Sequence, residues 1–311
     1  MRKLTILIVS MAAMLSIVSC KKSFLDRAPL TAISDADYWK TTNDLRFYAN
    51  SFYSSFPSYI QAYFTLGNFS ADDNSSDNMI NRNYSSFFNG EATLPSSGGG
   101  WSYGDWNNIR RVNYFLGKYK TASGDQGEIN KYLGEILFFK ANFYFSKLKQ
   151  FGAVPWISKV LSVTDSSDLF ASRLPRNVVV DSIMNILDQA VTLLPSKGTS
   201  GYEPFRVYKE VAALLQSRIA LYEGTWEKYQ AGTPFGVQGS DGTKYLQKAA
   251  DAAQIVISSG KFNLDNIGKP NGYWSLFNQT DYSSSSEVMF WRKYSVADGN
   301  YTLIARYMTG G

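Results

Sequence analysis

The chain has 311 residues, with 31 Lys+Arg against 26 Asp+Glu for a formal charge of +5, one cysteine and no histidine. The missing histidine removes Ser-His-Asp and Cys-His catalysis, histidine zinc sites and imidazole bases, and a single cysteine allows no internal disulfide. The charge is too mild for nucleic acid and forms no dense Lys/Arg stripe, whereas 21 Tyr, 20 Phe and 7 Trp suit both a packed core and a surface that stacks on sugars or peptides.

In chain order, Arg2 and Lys3 precede a short apolar run from Leu4 to Val18, which closes on Ser19-Cys20. The run is short for a membrane span and has the flanks of a secretory signal. We read 1–19 as a lipoprotein signal peptide and Cys20 as the lipidated first residue of the mature chain. Several acyl chains at one residue hold a membrane far better than one, at about 0.8 kcal/mol per buried CH2. Residues 20–34 read as an extended tether containing Pro29.

From Ser34 or Asp35 the spacing predicts a helix through Trp39, Leu45, Ala49 and Phe52, ending at Pro57. Residues 65–105 lose periodicity and fill with Asn, Ser, Gly and Asp, including the breaker run Ser96–Gly100. A loop this long inside a compact domain is functional or disordered. Helical spacing returns at Ile109, Val112, Leu116 and Tyr119, then at Leu133 to Leu148 with a stop at Phe151-Gly152. Three further helices are predicted: Val178 to Leu194, Val207 to Tyr222 with a stop at Gly224, and Leu246 to Ile257 before Gly260. Their irregular spacing suits degenerate tetratricopeptide-like helical hairpins or an irregular all-helical domain. After Gly260, Tyr273-Trp274 and Glu287–Trp291 read as short strand-like runs. The fold class is therefore mostly α, with long irregular loops and few short strands, over one domain at 35–311.

Two motifs that look catalytic are expected to be chance. Gly100-Trp101-Ser102-Tyr103-Gly104 matches the Gly-x-Ser-x-Gly nucleophile pattern but follows a glycine-rich loop, in a chain without histidine. Ser146-x-x-Lys149 lies late in an amphipathic helix and lacks a Lys-Thr-Gly partner. Asp72, Asp73, Asp77, Glu91 and Asp105 share the long loop, but no spacing singles out a glycosidase pair, and the EF-hand pattern for calcium is absent. We expect no catalytic residue, no cofactor and no metal site.

Several segments resemble the SusD/RagB family of outer-membrane nutrient-binding lipoproteins, in that family's order. They are Cys20–Asp26 with Pro29, Asp37-Tyr38-Trp39, Ile109–Leu116 and, most clearly, Leu133-Gly134-Glu135-Ile136-Leu137-Phe138-Phe139-Lys140-Ala141 leading to Phe151–Pro155. Leu193-Leu194-Pro195, Ala212-Ala213, Leu221-Tyr222, Trp226 and Glu287–Phe290 complete the series. Ile136 and Lys140 depart mildly, standing where most relatives carry alanine and arginine.

The resemblance implies tetratricopeptide-like helix pairs under a loop-built binding face. It also implies a non-enzymatic role: a cell-surface protein, lipid-anchored to the outer membrane, that binds oligosaccharide or polysaccharide, or peptide in some members. Such proteins act as a lid on a SusC-like TonB-dependent outer-membrane channel. Members usually continue well past residue 311, so the chain reads as truncated at its C-terminal side. For ligand contact we expect Trp101 and Tyr103 as stacking platforms and Arg82 and Asp73 as polar readers, beside Asn83 and Tyr84, with Trp106 packed under the next helix. A helical-repeat scaffold for a peptide or for the channel alone is the alternative, and a surface glycosidase a further one.

Overall fold

The computed structural model describes residues 35–57, 88–91, 93, 96, 98–265, 272–277, 279 and 281–293. The proposed signal, tether and Cys20, the predicted site residues Asp73, Arg82, Asn83 and Tyr84, and the acidic positions Asp72 and Asp77 lie outside the described residues. The chain divides into two compact units, residues 1–40 and 41–311.

In the first unit the described part is a short helix, α1 (Asp35–Tyr38). The Trp39 indole donates to Asp35 at 2.8 Å, and Lys40 pairs with Asp37 at 2.6 Å. The single helix expected from 35 to 56 is broken, because α2 (Thr42–Asn50) starts afresh with its own capping box. The Thr41 hydroxyl and amide both reach Asp44 at 2.8 Å, satisfying donors that a continuous helix would have used. A 3-10 turn at Tyr53–Ser55 ends that stretch.

The second unit is built around α4 (Gln126–Phe151), a 26-residue helix about 39 Å long. It starts seven residues before the predicted Leu133, because Asp125 caps it by accepting from the Glu128 amide at 2.9 Å. Tyr132, Ile136, Phe139, Tyr144 and Leu148 are among the largest fully buried side chains, and all of them lie on α4. α2 and α3 (Asn107–Lys118) pack against it on the N-terminal side of the sequence. On the other side α4 packs on α6 (Arg176–Leu193), α6 on α7 (Lys209–Tyr229), and α7 on α8 (Thr243–Ser258). Between α4 and α6 lies the one-turn α5 (Ser166–Leu169).

Gly224 does not stop α7, which continues to Tyr229. A β-carbon at Gly224 would lie 2.8 Å from the backbone nitrogen of Leu246, so the glycine is there to let α8 approach. The strand-like runs after Gly260 form no strand among the described residues. Gly272–Leu276 is a short helix, α9, and 288–293 has no regular secondary structure. The tail is held by scattered bonds: Asn263 N–H to the Ser286 carbonyl at 3.0 Å and the Tyr208 hydroxyl to the Met289 carbonyl at 2.5 Å. Isolated bridges at Thr41–Ser123 and Val154–Leu174 are the β structure of the described residues. No described helix is long and apolar enough to cross a membrane.

Candidate functional site

The loop before α3 carries Trp101 and Tyr103, and its shape follows from three glycines. Gly98, Gly99 and Gly100 all have left-handed φ, at 76, 59 and 83°, conformations that side chains resist. α4 pins this loop from below. The Lys147 ammonium donates to the Gly100 carbonyl at 2.5 Å, and the Gln150 amide to the Gly99 carbonyl at 2.8 Å. A β-carbon at Gly100 would collide with the Gln150 amide at 2.6 Å. The run is thus an anchored turn.

Ser102 then caps a 3-10 turn, Tyr103–Trp106, that leads straight into α3. Its amide and hydroxyl donate to Asp105 at 2.9 and 2.5 Å. Those bonds hold the Asp105 carboxyl below its ordinary range. Ser102 is occupied as a helix cap, which accounts for its place in the Gly-x-Ser-x-Gly string. Ser146 likewise bonds back to the Asn142 carbonyl of its own helix at 3.1 Å.

Trp101 is half-buried. Its ring meets Trp106 edge-on at 5.0 Å and Phe151 at 4.7 Å, while the Arg173 guanidinium sits 4.5 Å above it. Tyr103 is 86% exposed, without a ring partner among the described residues. Trp106 is half-buried at the mouth of α3, with the Lys147 ammonium 5.3 Å from its ring. These three aromatics form one wall of an open cleft of about 360 Å³.

The opposite wall is the segment 155–161, tied to the helices by polar groups. The Ile157 amide donates to the Tyr144 hydroxyl at 2.8 Å, and Asn113 on α3 donates to the carbonyls of Ile157 and Lys159 at 3.0 and 3.1 Å. Behind Asn113 its side-chain oxygen accepts from Lys140 at 2.9 Å. Lys159 at the rim pairs with Asp165 and Asp168 at 3.0 and 2.8 Å, which raises its pKa. Arg110 on α3 reaches the Leu161 carbonyl at 3.4 Å.

Lys140 is only 3% exposed and has no carboxylate partner among the described residues, and burial lowers its pKa to about 8. The folded state is therefore penalised while the amine is charged, and the penalty fades as pH rises from about 8 towards the unfolded value. Taking 10.5 for the unfolded lysine, the gain approaches about 3 kcal/mol. Urea unfolding of the wild type should show stability rising between pH 7.5 and 10 relative to Lys140→Met. Parallel profiles for the two proteins would contradict this account.

The structure thus brings Trp101, Tyr103 and Trp106 to one cleft, while Asp73, Arg82, Asn83 and Tyr84 lie outside the described residues. Sequence reasoning did not single out Arg110, Lys159, Asp168 and Arg173 as site residues. Arg110 had a usable signal, standing four residues after Trp106 and so on the same helical face. Arg173 had none, being 72 residues from the Trp101 it covers. Among the described residues no group of three side chains is arranged to hold a metal ion.

No protein-family model matches the chain. It is 27% identical over 181 residues to the SusD-like protein P38 of Formosa agariphila, a stretch covering 57% of this chain and 35% of that protein. A SusD-like protein of Bacteroides fragilis superposes with a TM-score of 0.66 at 22% identity, covering 86% of this chain and 48% of that one. A SusD-like carbohydrate-binding protein of the same organism gives 0.59 at 15% identity, over 83% and 47%. The chain spans about half the length of these structures and about a third of the curated relative. The likenesses show a mostly helical SusD-like fold and bear out the resemblance to the SusD/RagB family.

Proposed function

We propose that this chain, with a SusD-like fold and a SusD-like relative, is the carbohydrate-binding part of an outer-membrane nutrient importer and does no chemistry itself. Cys20 would carry the lipid that tethers it to the cell surface, and a SusC-like TonB-dependent channel would receive the cargo. One observation supports this reading above the others: the Trp101–Tyr103–Trp106 wall is preformed on a loop pinned to α4. A sugar's CH-rich face stacks on such rings, and a fixed platform loses little entropy on binding. Lys159 and Asp168, which also line the cleft, offer polar groups to sugar hydroxyls.

Trp101→Ala combined with Tyr103→Ala should weaken polysaccharide retention in affinity electrophoresis by about 10-fold, mostly from about 1–1.5 kcal/mol at the open Tyr103 ring, since Arg173 covers one face of Trp101. Unchanged retention would reject the site. Incorporation of labelled palmitate, absent in Cys20→Ser, checks the anchor; labelling of the variant would reject it.

A scaffold that grips a polypeptide is the second reading. A groove of about 550 Å³ lined by Tyr53, Phe56, Phe205, Phe290 and Trp291 favours it. Phe205 is 49% exposed there although its backbone stands at φ 63°, a conformation that bulky residues avoid.

A further inference from the structure

The charges around the cleft do not cancel equally. Lys159 is neutralised by Asp165 and Asp168. Lys147 is buried and turned inward onto the Gly100 carbonyl, and Asp105 is committed to Ser102. Two exposed cations are left over, Arg110 on the cleft lining and Arg173 above the Trp101 ring. Neither lies within ion-pair distance of a carboxylate among the described residues. The one carboxylate that lines the cleft, Asp168, already belongs to Lys159.

We propose that this cleft takes an anionic saccharide, a uronate or a sulfate ester, whose acidic group is held by Arg110 and Arg173. The proposal rests on the carbohydrate-binding reading above and narrows its ligand class. A guanidinium presents a planar fork of five N–H donors, matched to two oxygens of one carboxylate or sulfate. Arg110 spends one donor on the Leu161 carbonyl, in a bond of 3.4 Å at the long end of hydrogen bonding. Arg173 is exposed and steadied over the Trp101 ring, which restricts its planar group. Since Arg173 covers Trp101, ring stacking falls chiefly to the exposed Tyr103 and the half-exposed Trp106. A neutral sugar would fill the same space but leave both positive charges unanswered.

The test is affinity electrophoresis of the full chain in gels carrying polygalacturonate, a sulfated galactan or a neutral galactan. Retention by at least one acidic polymer should be about 10-fold tighter than by the neutral one and should fall as salt is raised. Uronate-only or sulfate-only retention identifies the source of the acidic group. Arg110→Gln with Arg173→Gln should remove most of that preference, while Arg218→Gln, the same charge change on α7 away from the cleft lining, should not. Equal retention of neutral and acidic polymers overturns the anionic assignment but leaves the carbohydrate reading intact. Equal loss from Arg218→Gln also overturns it, as a general charge effect. No retention of any polymer overturns both.

Discussion

Arg206→Met should lower the unfolding free energy by about 3–5 kcal/mol, because it strands a buried carboxylate. Glu135, on α4, is fully buried, and Arg206 grips it at 2.8 and 2.6 Å through two guanidinium nitrogens. The Tyr53 hydroxyl donates to the same carboxylate at 3.0 Å and accepts from the Val207 amide at 2.8 Å. A further guanidinium nitrogen of Arg206 bonds Asn50. One buried ion pair therefore joins the end of α2, the 3-10 turn, α4 and the segment entering α7. Burial pushes the Glu135 carboxyl up, and Arg206 is the chief influence holding it down.

The loss should accordingly depend on pH. Without Arg206 the folded pKa of Glu135 stands further above the unfolded one. The variant is thus least impaired in acid and loses stability as pH rises through that folded pKa. Urea midpoints at pH 5 and pH 8 measure this, and the Glu135→Met/Arg206→Met double variant should recover much of the loss. A deficit under 1 kcal/mol at pH 8, or a double variant as impaired as the two single changes added together, would refute the account.

Gly242→Ala is expected to have a comparable effect, about 2–5 kcal/mol, from backbone strain together with overpacking. Gly242 precedes α8 at φ 77°, and its β-carbon would lie 2.0 Å from the Gly224 carbonyl oxygen. That neighbour is backbone inside α7 and cannot swing away as a side chain could. Gly224→Ala is the milder partner. Its overlap with the Leu246 backbone nitrogen and side chain is 2.8 Å rather than 2.0 Å, and about 1 kcal/mol of helix propensity is gained over glycine. The order of the two variants is measurable by denaturant titration. Gly242→Ala within 1 kcal/mol of wild type would show that the α7–α8 seam yields more easily than its geometry indicates.

Much of the fold was legible before any coordinates. Each long helix announced itself by apolar residues at three- and four-residue spacing, since burial of one helix face imposes that period on the sequence. Errors fell where a local signal had a tertiary purpose. Gly224 read as a terminator and proved to be a point of close approach. Asp125 and Thr41 set helix starts that apolar spacing alone could not place. Glu287–Trp291 looked strand-like, yet no neighbouring strand completes a ladder among the described residues.

The site divides in the same way. Composition alone excluded histidine chemistry, and the aromatic, glycine-rich loop alone pointed to Trp101 and Tyr103, because these are properties of residue types and near neighbours. Only the tertiary structure set Arg173 over Trp101, closed the far wall of the cleft with 155–161, and cancelled Lys159 while leaving Arg110 uncancelled. Those relations join residues tens of positions apart, and the packing of α3 and the 155–161 wall around α4 decides them. A one-dimensional pattern records which charges exist, but whether each meets a partner depends on distances that exist only after folding.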